Sequence, residues 1–192
     1  MLRVLVVDER THRSEQLVAT LSAAGHEVLA VYPNALDLGR SVERLRPDVV
    51  LIETDSPSRD TLEHLAASNR DFPRPVVVFA SDQGGDAIRA AVAAGVSTYV
   101  VDVVSEERLQ PILAMACASF ERYDALRRDH DRATRQLAER KRIERAKGML
   151  MRVKHCDEDE AFRLLRKMAM DRGRSLAEAA DHVIQVVDIL EA

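Results

Sequence analysis

Residues 47–57 read P-D-V-V-L-I-E-T-D-S-P. Four consecutive apolar residues, Val49 to Ile52, stand between a proline and an acidic, turn-forming stretch. A strand with one face in water alternates apolar and polar residues. An unbroken run suits a strand covered on both faces, as in a parallel sheet. The same signal recurs on either side. Leu2–Val7 is a β-branched run closed by Asp8-Glu9; Val28–Val31, Pro75–Phe79 and Ser97–Val101 complete five strands. Helical spacing fills the intervals: Leu17, Val18 and Leu21 before Gly25; Leu36, Leu38, Val42 and Leu45 before Pro47; then 62–67, 87–94 ending at Gly95, and 106–118. This alternation predicts an α/β fold with a doubly wound, five-stranded parallel sheet.

In open sheets of this kind, sites form at the carboxyl ends of the strands. Those ends carry Asp8-Glu9, Glu53 with Asp55, Ala80-Ser81, and Asp102. Together with the run at 47–57 and A-G-V-S-T-Y-V-V-D at 94–102, they make residues 2–118 resemble the CheY-like receiver domain of response regulators. The resemblance implies an acidic pair for Mg²⁺, an aspartate that accepts phosphate, a hydroxyl, and a lysine that pairs with the phosphoryl charge. Carried over by position, the acidic pair is Asp8-Glu9. The phosphoacceptor position, four residues before Pro57, is Glu53. The hydroxyl position is Ala80, with Ser81 one place late, and the lysine position is Asp102. The longer Glu53 side chain displaces the reactive oxygens by a bond length, to which near-attack geometry is sensitive. Asp102 adds a like charge where a phosphoryl group would sit. The expectation is a degenerate, or pseudo-, receiver. Asp8, Glu9 and Glu53, with Asp102 beside them, remain the candidate Mg²⁺ ligands. The alternative is a solvated rim or a network with Arg10 or Arg13. Asp55 has phosphoacceptor chemistry but the wrong offset from Pro57.

Neither proline nor glycine occurs between Ile112 and Lys147, so the fifth helix is expected to run on without punctuation. Leu113, Ala116/Cys117, Phe120, Tyr123, Leu126, His130, Ala133 and Leu137 follow 3–4 spacing, an imperfect coiled-coil seam. It reads as a homodimerisation helix or as a linker lying on its own domains. The helix then reaches R-K-R-I-E-R-A-K-G-M-L-M-R-V-K (140–154), seven Lys or Arg against Glu144 alone. Ile143, Ala146, Leu150 and Val153 give it one apolar face. A second helix opens on Asp157–Glu160 and carries Ala161, Phe162, Leu164, Leu165, Met168 and Ala169, with Phe162 read as core. Gly173 ends it. Ser175 with Glu178 forms a capping box opening a third helix, 176–190.

Arg140, I-E-R-A-K-G-M-L-M (143–151), E-A-F-R-L-L-R (160–166), Ala169, Leu176 and Ala180 resemble, in order and spacing, the ANTAR domain, an RNA-binding module of transcription antiterminators. The chain therefore divides into a pseudo-receiver at 1–118, a connecting helix at 119–139 and a three-helix ANTAR bundle at 136–192. The degenerate receiver joined to ANTAR, with Y-V-V-D at 99–102, is most similar to the NasT-type antiterminators of nitrate and nitrite assimilation operons. That resemblance implies leader-RNA hairpins as the ligand. It also implies a NasS-like nitrate/nitrite sensor protein, rather than phosphorylation, as the control. Basic side chains on a helix supply the phosphate-neutralising part of such binding. The candidates are Arg140, Arg145, Lys147, Arg152, Arg166, Lys167 and Arg172, some of which must pair instead with Glu144, Glu158 or Glu160. Gly148, mid-helix at a cost of about 1 kcal/mol against Ala, implies close helix packing or close approach of an RNA backbone.

Composition bounds the rest. Across 192 residues the net charge is −4, but residues 1–120 hold 11 Lys+Arg against 17 Asp+Glu, and residues 121–192 hold 17 against 15. The asymmetry suggests two modules with different partners. No apolar run approaches the roughly 20 residues a bilayer requires, the N-terminal run reads as a strand, and Cys117 and Cys156 lack metal-ligand spacing. A cytoplasmic protein with no membrane partner is expected. With no glycine-rich phosphate loop and no nucleophile–base constellation, an enzyme is not. The competing reading is a phosphorylation-dependent response regulator with a DNA-binding output.

Overall fold

The computed structural model describes residues 1–9, 14–101 and 106–190, so Asp102, Arg10 and Arg13 lie outside the described residues. The first of two compact units spans Met1–Asp124. Its five strands are β1 (Arg3–Asp8), β2 (Glu27–Tyr32), β3 (Val49–Thr54), β4 (Val76–Ala80) and β5 (Thr98–Val101). Helices α1 (Ser14–Ala23), α2 (Leu38–Leu45), α3 (Arg59–Asp71) and α4 (Gly85–Ala93) alternate with them. Every pairing is parallel, in the order β2-β1-β3-β4-β5. This is the doubly wound sheet that the apolar runs predict.

Alternate residues of each central strand enter different cores, which is why the runs show no polar alternation. Leu5 and Val7, Val50 and Ile52, and Val76 and Val78 pack with Leu38, Val42, Leu65 and Ala91 of α2–α4. Val4 and Val6, Val49 and Leu51, and Val77 and Phe79 pack with Leu17 and Leu21 of α1 and with Leu109, Ile112, Leu113 and Ala116. Those last four belong to α5 (Glu106–Lys154). Gly95, between α4 and β5, has φ +95, and a Cβ there would meet Asn69 Nδ2 at 2.6 Å. Both facts require glycine.

α5 is one helix of 49 residues, as the missing punctuation predicts. Its only proline, Pro111, lies in the second turn, where it removes one backbone bond without ending the helix. From Ala125 to Lys141 every residue is exposed.

The second unit, Ala125–Ala192, contains the end of α5 with α6 (Glu158–Asp171) and α7 (Leu176–Leu190). Ala146, Met149 and Leu150 pack with Ala161, Leu165 and Ala169 and with Ala179, Ala180, Val183 and Val187. The capping box of α7 is the one the sequence predicts, and Asp157 adds an N-cap to α6. Asp157 accepts from the Glu160 amide at 2.8 Å. Ser175 Oγ accepts from the Glu178 amide at 3.2 Å while Glu178 Oε2 accepts from the Ser175 amide at 2.8 Å, a reciprocal capping box.

Phe162 departs from expectation. The sequence pattern places it in the core, but it is 40% exposed on α6. The buried stripe of that helix is Ala161, Leu165 and Ala169, completed by the half-buried Leu164 and Met168, and Phe162 stands just outside its edge.

Candidate nucleic-acid interface and strand-end cluster

At the carboxyl edge of the sheet, register brings Asp8 beside Glu53 and Thr54 beside Ala80. Asp8 and Ala80 are buried, and Glu53 is half-buried. Glu9 turns toward the start of α3: Thr61 Oγ1 donates to its Oε1 at 2.5 Å, and its backbone amide donates to the Glu53 carbonyl at 2.9 Å. Among the described residues no three His, Cys, Asp or Glu side chains are placed to hold a metal ion. Of the candidate set Asp8, Glu9 and Glu53, the first and last are neighbours in register, and the hydrogen bond to Thr61 draws Glu9 toward α3.

The loops at this edge are tied together by a residue the sequence reading passes over. Asp82 Oδ2 accepts from Ser56 Oγ at 2.6 Å, and its Oδ1 accepts from the Gly84 amide at 2.7 Å. These bonds hold its carboxyl below the usual carboxylate range, the Ser56 bond most of all. The Asp55 carbonyl accepts from the amides of Ser81 and Asp82, and the Tyr99 hydroxyl donates to the Asp82 carbonyl at 3.0 Å. The legible signal is D-Q-G at 82–84, an Asp two residues before a turn glycine.

In the second unit, several cations of α5 are paired with carboxylates. Lys147, expected at an RNA-facing surface, is a correction: its side chain is only 10% exposed, and its Nζ lies 2.7 Å from Glu158 and 2.9 Å from Glu144. Two charge-assisted hydrogen bonds, Glu158 first, raise its pKa above the ordinary lysine value. The same contact lowers that of Glu158. Lys147 lies three residues after Glu144, so helical spacing forms that pair, and packing on the acidic first turn of α6 adds Glu158. Arg145 is held by Asp188 of α7 at 3.1 Å, at exposed positions. Arg142, outside the sequence-based set, bonds Asp181 at 2.7 Å.

Arg140, Arg166, Lys167 and Arg172 are exposed, and among the described residues no side-chain hydrogen bond or ion pair engages them. The same holds for Lys141 and Lys154, two cations absent from the sequence-based set. Arg152 is exposed but has a partner. Gly148 is exposed, and a Cβ built on it has no neighbour within 4 Å, which removes packing within the chain as the reason for glycine.

Residues 131–184 match the ANTAR domain. This chain joins a receiver-like domain to an ANTAR domain. The receiver-like domain is similar in fold to the signal receiver domain of a modulated diguanylate cyclase from Desulfovibrio desulfuricans G20. That match has a TM-score of 0.56 and 23% identity, covering 63% of this chain and 97% of that one. A CheY-like receiver domain protein from Methanospirillum hungatei JF-1 aligns with a TM-score of 0.55 and 18% identity, over 63% of this chain and 97% of its own. Over nearly its whole length the chain is similar to the transcriptional regulatory protein PdtaR of Mycobacterium tuberculosis, 26% identical over 96% of this chain and 90% of that protein. PdtaR is by its name a transcriptional regulatory protein. The Xanthomonas oryzae protein-glutamate methylesterase/protein-glutamine glutaminase 2 is 32% identical over 56% of this chain but only 30% of its own length. No helix among the described residues is long and apolar enough to cross a membrane.

Proposed function

We propose that this ANTAR regulator is an RNA-binding transcription antiterminator that engages hairpins in leader transcripts. The observation that carries the reading is the ANTAR match, combined with six cations of that unit that are exposed and unpaired among the described residues. Unpaired Lys and Arg leave their charge available for phosphates, whereas Lys147 and Arg145 already commit theirs to carboxylates.

The chain acts as a homodimer through the exposed middle of α5. Support comes from Leu126 and Leu137, which are 65% and 55% exposed on the 3–4 seam. Control comes from a partner protein rather than from phosphorylation. Support for that lies in glutamate at the phosphoacceptor position and alanine, at the end of β4, where a hydroxyl is needed. The specific assignment, nitrate or nitrite assimilation operons with a NasS-like sensor as partner, rests on the resemblance of the degenerate receiver to NasT-type proteins.

Gel-shift titration against leader-type RNA hairpins, with scrambled hairpins and duplex DNA as competitors, tests this reading. Preferential hairpin binding supports it. Preference for duplex DNA overturns it and favours a DNA-binding output.

A further inference from the structure

The outer surface of α6 combines features that no other helix of the ANTAR unit combines among the described residues. Phe162, Arg166 and Met170 fall at i, i+4 and i+8, so they form one row along the helix. Arg163 and Lys167 form the adjacent row. All five are exposed, Phe162 by 40% and Met170 by 70%. Phe162 is the unit's only Phe, Tyr or Trp, and it lies outside the unit's core cluster. Three of the four acids of this helix lie in its first turn, where Glu158 binds Lys147, and the fourth, Asp171, is its last residue. The cations occupy the next two turns beside Phe162. An apolar ring next to positive charge is suited to an unpaired nucleotide, which offers a flat π-face and a phosphate. A second copy of this face would instead bring three cations against three.

We propose that α6 carries the base-contacting surface of the ANTAR domain. An unpaired base in the RNA loop stacks on Phe162, while Arg166 and Lys167 engage the flanking phosphates. This rests on the RNA-binding reading above and makes it specific. α6 supplies the loop contact, and the cations Lys147 and Arg145 are committed to carboxylates within the unit.

The chain contains no tryptophan. Phe162→Trp therefore installs a single reporter ring at the proposed stacking position. The probe is a pool of RNA hairpins with randomised loops, compared with fully paired RNA of the same stem sequence. Hairpins are expected to quench the fluorescence of the introduced indole and bind with affinity near wild type, while paired RNA leaves the fluorescence unchanged. Phe162→Leu should weaken hairpin binding about five- to hundred-fold with the salt dependence intact, as loss of one stacked base predicts. Arg166→Ala should instead reduce the slope of log affinity against log salt by about 0.7–0.9. Three results overturn the proposal while leaving RNA binding standing: no quenching with bound hairpins, equal quenching by paired RNA, or full affinity in Phe162→Leu. A change of oligomeric state in Phe162→Leu with RNA affinity intact assigns the face to a second copy and also overturns it. Failure of the wild-type chain to bind either RNA is a different outcome, and it removes the RNA reading itself.

Discussion

Two adjacent residues, Lys147 and Gly148, show how much a single side chain's surroundings decide. Lys147 is tied to Glu158 and Glu144. Because the folded pKa of Glu158 is lowered, its contribution to stability is present above its unfolded value of about 4.3 and is lost as pH falls through the folded value. Because that of Lys147 is raised, its contribution is complete below about 10.4 and is lost as pH rises through the folded value. The clasp is therefore intact throughout the neutral range. Lys147→Met should lower the melting temperature at neutral pH and flatten the acid limb of the stability profile, read by thermal unfolding between about pH 3 and pH 8, the span that brackets the carboxylate's titration. An unchanged acid limb would mean the triad contributes nothing. Gly148 makes the opposite prediction. A methyl group there meets nothing, so Gly148→Ala should stabilise the helix by about 1 kcal/mol. That corresponds to a rise of roughly 4–8 °C in a domain of this size. If glycine serves approach of RNA, the same variant binds hairpins more weakly despite being more stable.

At the scale of elements, the long helix is legible in the sequence and its surroundings are not. Continuous helical spacing without Pro or Gly is a local property, and α5 follows it from Glu106 to Lys154. The strands are equally legible, because burial on both faces writes itself into composition as apolar runs. Ion pairing is harder to read. Lys147 and Arg166 look alike in sequence, and it is the acid contributed by α6, joined to Glu144, that separates the buried lysine from the exposed arginine. Phe162 escapes a sequence reading for a related reason. It lies one residue past Ala161 at the margin of the apolar stripe, where a small rotation of α6 decides between core and solvent. The seam of α5 makes the prediction proper to this scale. Leu126→Lys together with Leu137→Lys should convert a dimer to a monomer by sedimentation or light scattering, with helix content by circular dichroism retained in each folded unit. A wild-type chain that is monomeric at high micromolar concentration would contradict the dimer.

For the whole molecule, the function proposed above is a division of labour: an RNA-binding output governed by something other than phosphate. On the proposed reading Glu53 stands at the phosphoacceptor position, and nearby loop residues are engaged with one another through Asp82, Ser56 and Tyr99. Incubation with labelled acetyl phosphate should leave the chain unlabelled, and label at Glu53 or Asp55 by mass spectrometry would restore phosphorylation control. The most direct test of the central claim is hairpin-RNA affinity measured against salt concentration. The account predicts preference for hairpins over scrambled RNA and duplex DNA, with log affinity falling linearly in log salt at several phosphates' worth of slope, about 0.7–0.9 for each contact. Equal affinity for every nucleic acid, or affinity indifferent to salt, would contradict it.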